Sequence, residues 1–217
     1  MSRIAILGVG KVGTAIARAA VAGGHEVVLA GSGSPEPVQF IVDVMAPGAL
    51  VDTAANAVAG SDIVILAIPL PKIESLDPGM LAGRIVVDAM NHWEPTDGAL
   101  PKLFDGAEST SAVVAGHLSG ARVVKALNHI GYHEMEADAR PAGAPDRRGL
   151  AAVSDDAAAA EVVAGIVASF GFDVVAGSPL ALGSLLEPGT EIFGGSFTSE
   201  EIGARLADAS QEARIAA

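Results

Sequence analysis

Along this chain, apolar residues come in short blocks that glycine or proline cuts off. Arg3–Leu7 is such a block, followed at once by glycines, and reads as a buried strand. Lys11–Val21 carries apolar residues at helical spacing and stops before Gly23 and Gly24, which suit a helix C-cap. Glu26–Ala30 is a second strand. Ser34 then suits an N-cap with Pro35 in the first helical position. Val38, Ile41, Val42 and Met45 give that helix one apolar face before Pro47-Gly48 ends it. A short strand is expected at Ala49–Val51 and a short helix at Thr53–Ala59. Asp62–Ile68 is the plainest strand, β-branched and ended by Pro69; Arg84–Ala89 and Arg122–Leu127 repeat its pattern.

After Asn128 the texture changes. Ala139–Gly149 is rich in proline, glycine and arginine and reads as a loop, linker or lid. Beyond it the pattern predicts a strand at Leu150–Val153, an alanine-rich helix at Asp156–Phe170 stopped by Gly171, and a strand at Phe172–Val175. Thr198-Ser199-Glu200-Glu201 is a capping box that opens a last amphipathic helix. Strands alternating with helices define an α/β protein with a Rossmann-type, doubly wound, mainly parallel sheet. Residues 1–130 are expected to form a dinucleotide-binding domain, and residues 131–217 a small C-terminal α/β region packed against it.

Composition narrows the function. Half of the 217 residues are hydrophobic, enough for a real core, and the net charge of −13 speaks against a nucleic-acid or anionic-membrane surface. Cysteine is absent. Disulfides, thiol nucleophiles, cysteine-zinc sites and iron–sulfur clusters therefore drop out, and a cytoplasmic setting is expected. No apolar run approaches the ~18–20 residues of a spanning helix. The opening Met1–Gly13 sets a positive charge before apolar residues, but Lys11 and the glycines cut the run short, so it reads as strand and loop rather than as a signal peptide.

Gly8-Val9-Gly10-Lys11-Val12-Gly13 is a G-x-G-x-x-G motif that follows a strand and opens a helix, the context that makes it a dinucleotide site. Gly8 allows the tight turn, Gly10 the approach of a pyrophosphate, and Gly13 close packing of helix on strand. The helix dipole and free amides favour the anion. At the end of the second strand an NAD enzyme carries an acid for the ribose 2′-hydroxyl. Here Gly31-Ser32-Gly33-Ser34 has neither that acid nor an arginine. The loop repels no 2′-phosphate, Ser32 and Ser34 can donate hydrogen bonds, and Gly33 lets the backbone form an anion nest, so NADP is expected. Lys11 is a candidate supplementary cation. Glu36 is close enough to oppose it.

Three further strand ends should face the same crevice. Ile68, Pro69 and Leu70 are expected to pack on the cofactor. Met90 and Asn91 end the fifth strand, Leu127 and Asn128 the sixth, and either asparagine suits the nicotinamide carboxamide or the second substrate. His129, with Asn128, is the candidate catalytic group. His129 and His133 would share a face on a helix, yet no H-E-x-x-H order exists and no metal is expected. Tyr132 is followed four residues on by Glu136 rather than lysine, which removes the Tyr-x-x-x-Lys pair of short-chain dehydrogenases. No G-x-S-x-G elbow is present. The absence of a strong acid–base pair suits a hydride transfer that needs mainly two aligned rings.

The stretches IAILGVGKVGTAIARAAVAGGHEVVLAGS, SDIVILAIPL, RIVVDAMN, ARVVKALNHIG and GFDVVAGSPLALGSLLEP span most of the chain. In them the sequence resembles NADPH-dependent reductases of the deazaflavin coenzyme F-420. Its N-terminal half is similar also to pyrroline-5-carboxylate reductases and to ferric-reductase domains. The resemblance implies NADP over Gly8–Gly13 with Ser32 near the 2′-phosphate. It also implies a deazaflavin substrate stacked on the nicotinamide in a cleft lined by the segment after the sixth strand. Gly33 departs from the family's Gly-Ser-Arg, and Leu127-Asn128-His129 from its Leu-His. The acidic deazaflavin tail asks for basic residues. Arg140, Arg147 and Arg148 are the candidates, although a solvated loop is the simpler reading of them. The alternatives are a reductase of an imine, flavin or ferric chelate, and a non-catalytic NADP-binding regulator. Pairing into a homodimer is expected, with an apolar face of the C-terminal part buried between copies.

Overall fold

The computed structural model describes residues 1–216. One sheet of eight strands runs in the order β3-β2-β1-β4-β5-β6-β7-β8. The strands are β1 (Arg3–Leu7), β2 (Glu26–Ala30), β3 (Leu50–Val51), β4 (Ile63–Leu66), β5 (Ile85–Asp88), β6 (Arg122–Ala126), β7 (Gly149–Val153) and β8 (Asp173–Gly177). Neighbours pair in parallel except β6 and β7. The helices are α1 (Lys11–Ala22), α2 (Glu36–Met45), α3 (Ala54–Ala59), α4 (Pro78–Leu81), α5 (Glu94–Asp97), α6 (Thr110–His117), α7 (Glu134–Ala137), α8 (Ala157–Ser169) and α9 (Ser199–Ala216).

Both faces of the sheet are covered, which is why the strands read as unbroken apolar runs instead of alternating ones. Ile4 and Ile6 face α1 and α8 through Ala15, Ile16, Val163 and Val167. Ala5 and Leu7 face the other layer, where Val58 of α3, Leu81 of α4 and Val114 of α6 pack. The C-terminal segment joins the same sheet rather than standing off it. Ala151 and Val153 of β7 are covered by Leu182, Leu186, and Ile202 and Leu206 of α9.

Several predicted bounds shift. Ser34 does not cap α2: the helix starts at Glu36 with Pro35 in the cap position and no side-chain cap bond. Ser34 instead stands near the Glu36 carboxylate and helps to hold its pKa down. Asp156, expected inside α8, is its N-cap, accepting from the Ala159 N–H at 3.0 Å. The capping box of α9 forms as expected, with the Glu201 carboxylate accepting from the Thr198 N–H at 2.8 Å and Thr198 Oγ1 accepting from the Glu201 N–H at 3.2 Å. Among the described residues no helix is long and apolar enough to cross a membrane.

Candidate functional site

The turn after β1 is built from glycine because nothing else fits. Gly8 has φ +127°, and a Cβ there would run into the Ala67 carbonyl oxygen. A Cβ on Gly13 would run into the Gly8 carbonyl oxygen. Gly10 differs: a Cβ there meets nothing within 4 Å. α1 opens at Gly10 without a side-chain cap. Uncapped first-turn amides beside open space fit a pyrophosphate, so this part of the site suits a dinucleotide.

Two clefts flank the start of α1. The larger, about 900 Å³, is lined by Val9 and Gly10, by Ser32 and Gly33 of the β2 loop, and by Ile68 and Pro69 after β4. It brings together the glycine loop, the β2 loop and the turn after β4, three segments expected to meet the cofactor. Leu70 lies beneath it, fully buried, and supports the wall without lining it. Ser34 is outside the lining. The sequence reading missed the far wall: Ala54 and Ala55 of α3, and Lys72, Ser75, Asp77 and Met80.

The second cleft, about 390 Å³, holds Val12, Ala89, Leu127 and Ile130 on its apolar side, with Asn91 and Asn128 among them. Trp93, Tyr132 and Phe193 are its aromatic lining. Trp93 and Phe193 meet edge to face at 5.8 Å between ring centroids. Phe193 could not be found from sequence, since it arrives from a hundred residues downstream in a segment with no motif. Its loop is tied down by the Gly194 N–H donating to the His129 carbonyl at 3.0 Å.

The strand ends below this cleft are locked. Lys125 and Asp88 are fully buried and pair at 3.3 Å. Lys125 Nζ also donates to the Met90 carbonyl at 2.6 Å, and Asp88 accepts from the Met90 N–H at 3.0 Å and from Ser111 at 2.6 Å. Met90 is therefore a buried anchor, not a cofactor contact; it lines neither cleft. Leu127 adopts φ +64°, a left-handed backbone that is strained for a leucine, and turns the chain out of β6 into the cleft.

His129 does not fit the catalytic role expected of it. It is 2% exposed. Its Nε2 accepts from the Ala151 N–H at 3.1 Å, which leaves the proton on Nδ1, 3.2 Å from Asn128 Oδ1. Burial, then the nearby Arg148 and Lys125 charges, hold its pKa down at about 3. The imidazole is a neutral brace between β6 and β7. Asn128 is likewise engaged, donating to the Leu186 carbonyl at 2.5 Å and to Asn91 Oδ1 at 3.1 Å. His133 lines the same cleft from its exposed rim, and no group of three or more metal-ligating side chains gathers among the described residues.

The arginines of the proline-glycine loop form no basic patch, and they are not simply solvated either. Arg148 is 5% exposed and clasps Glu134 at 3.0 Å and Asp138 at 2.7 Å. Burial raises the pKa of Glu134, but hydrogen bonds from the Gly131 N–H and Arg148, with the guanidinium charge, outweigh it and leave it lowered. Arg147 pairs with Asp173 and Arg140 with Asp146. Lys11 sits over the Tyr132 ring, 5.6 Å from its centroid, on the side of the smaller cleft.

This is a Rossmann α/β protein with its glycine loop between two clefts. Residues 3–92 match the family of NADP oxidoreductases, coenzyme F420-dependent. No curated protein matches the sequence. Among solved structures, the chain is similar to the hypothetical protein SMa0349 of Sinorhizobium meliloti, at 27% identity and a TM-score of 0.78 over 91% of this chain and 96% of that one. It is similar also to a proposed F420-dependent NADP-reductase of Arthrobacter sp. FB24, at 26% identity and TM-score 0.70 over 86% and 90%. A pyrroline-5-carboxylate reductase of Coxiella burnetii shares the fold at 14% identity and TM-score 0.54, with 59% of that chain covered. The family match covers the glycine loop, the β2 loop and the end of β5.

Proposed function

We propose that the protein transfers a hydride between NADP(H) and a flat deazaflavin-type acceptor stacked against the nicotinamide. The observation that carries this reading is the smaller cleft itself. It is aromatic and apolar, and it adjoins the helix start that suits the pyrophosphate. Its interior offers no free proton donor: His129 is neutral and committed, and Glu134 is held by Arg148 and Gly131. Tyr132 and His133 also line the cleft, from its exposed rim. Bound NADPH supplies the hydride. The chain's own residues align the rings and exclude water: Val12, Leu127, Trp93 and Phe193 line the cleft, and the second N–H and lone pair that Asn91 does not spend on Asn128 can hydrogen-bond a carboxamide. An imine or carbonyl acceptor also requires a proton at its heteroatom, which this interior is poorly equipped to deliver.

Pairing of two copies belongs to the same reading. The C-terminal apolar face is used up within the chain, covering β7 and β8. Uncovered apolar side chains cluster on α2, where Phe40 is 77% and Val44 59% exposed. Sedimentation equilibrium tests it.

The deciding experiment is turnover of oxidised deazaflavin with NADPH, read as loss of its visible absorbance. NADH is the paired control, with a flavin, a cyclic imine and a ferric chelate as rival acceptors. Deazaflavin turnover that exceeds the rivals supports the reading. Faster turnover of a rival, or NADPH binding without any turnover, removes it.

A further inference from the structure

The β2 loop leaves a charge unanswered. A 2′-phosphate monoester carries about −1.5 to −2 at neutral pH. Gly33 offers no side chain where a cation would stand, Ser34 lies outside the cleft lining, and the Glu36 carboxylate adds negative charge beside the loop. The chain as a whole is at −13. If the loop were the whole site, it would hold that phosphate with Ser32 and backbone amides alone.

Most other cations are committed, and Lys102 and Arg214 line neither cleft. Arg3, Arg18, Arg122 and Arg205 pair with carboxylates, as do the three loop arginines. Arg84 donates to the Ser61 and Ala59 carbonyls. Lys125 is sealed under the sheet end, and Lys11 stands over Tyr132. Among the described residues lining the dinucleotide cleft, one cation remains: Lys72.

Lys72 sits in the turn Leu70–Ser75 that follows β4. Leu70 and Ile73, both fully buried, anchor the turn, and Ser75 Oγ donates to the Lys72 carbonyl at 2.6 Å. The backbone under Lys72 is thus fixed while its side chain is exposed. No ion pair forms at its ammonium among the described residues. β2 and β4 flank β1 on opposite sides, so Ser32-Gly33 and Lys72 approach one cleft from two walls. Asp77, the other charged residue of that lining, caps α4, with Oδ1 accepting from the Gly79 N–H at 2.9 Å.

We propose that Lys72 is a specificity-determining residue that holds the 2′-phosphate of NADP from the β4 side, in place of a basic residue after β2. The inference rests on the NADP reading above. A lysine suits this position: its ammonium is a point charge on a flexible four-carbon stem and needs no bidentate alignment, so it can reach across a cleft. A single exposed ammonium is screened readily by salt, so the preference for NADP over NAD shrinks as ionic strength rises.

Calorimetric titration of NADP⁺ and NAD⁺ into the wild type, Lys72→Met and Lys72→Arg tests this, with thermal melts to verify folding. The wild type is expected to bind NADP⁺ the more tightly. Lys72→Met is expected to weaken NADP⁺ by about ten- to a hundredfold, the range for one hydrogen bond to a charged group, and to leave NAD⁺ nearly unchanged. Lys72→Arg is expected to keep the preference. Unchanged NADP⁺ affinity in Lys72→Met, or equal losses for both dinucleotides, overturns the assignment while the NADP reading stands. A wild type that binds neither dinucleotide overturns the reading itself, before any variant is made.

Discussion

Asn91 and Asn128 hold each other across the ends of β5 and β6. Asn91 Nδ2 donates to the Asn128 carbonyl at 2.7 Å, and Asn128 Nδ2 donates back to Asn91 Oδ1 at 3.1 Å. The pair fixes the floor of the smaller cleft, and Asn128 extends it to the Leu186 carbonyl. Asn128→Asp keeps the shape but replaces the donor with an oxygen facing two acceptors. Loss of these bonds, with buried acceptors left unpaired, is expected to cost about 1–3 kcal/mol. Denaturant unfolding and steady-state kinetics check it: kcat should fall by more than NADPH affinity, and unchanged values for both would remove the pair from the site.

His129 gives a pH prediction with a definite sign. Its folded pKa of about 3 lies below the ordinary 6.5. Between those values the unfolded chain binds the extra proton, so stability is lost as pH falls below about 6.5. His129→Asn should flatten that part of the stability-against-pH curve. Turnover between pH 5.5 and 8 should show no inflection that the same substitution abolishes; finding one would restore His129 as an acid–base group.

The glycines of the first turn should separate folding from binding. Gly10→Ala meets open space, so its melting temperature should match the wild type while NADPH binding weakens, because the methyl group occupies the approach of the pyrophosphate. Gly13→Ala drives its methyl group against a backbone carbonyl and should destabilise the fold by about 1–3 kcal/mol. Equal behaviour of the two variants would mean that the pyrophosphate lies elsewhere.

Arg148 is predicted to matter for the acceptor rather than for the nucleotide. Its clasp on Glu134 and Asp138 positions residues 131–134, which line the smaller cleft. Arg148→Met should cost about 3 kcal/mol, the low end for breaking a buried pair, since the two carboxylates keep 31% and 35% exposure. At a temperature where the variant stays folded, the acceptor KM should rise and NADPH affinity hold.

Ser32→Asp should move the preference from NADP toward NAD by placing a carboxylate beside the 2′-phosphate position. Paired titrations read it directly. An unaltered ratio would displace the phosphate from the β2 loop.

What the sequence determined by itself is local. Five-residue runs such as Arg3–Leu7 and Glu26–Ala30 are legible because a strand buried on both faces has to be apolar throughout. The glycine loop is legible because a tight turn and close packing exclude every side chain at Gly8 and Gly13. Tertiary structure decided what depends on distant partners. His129 ends a strand like a catalytic residue, but the Ala151 amide, twenty-two residues on, claims its free nitrogen. The loop arginines resemble a patch until the carboxylates of α7, β8 and their own loop neutralise them. Phe193 carries no local signal at all, since only the return of the chain after β8 sets it against Trp93. Turn chemistry and burial periodicity act within a few residues, whereas a proton, a charge or an aromatic wall is assigned by whatever the fold brings alongside.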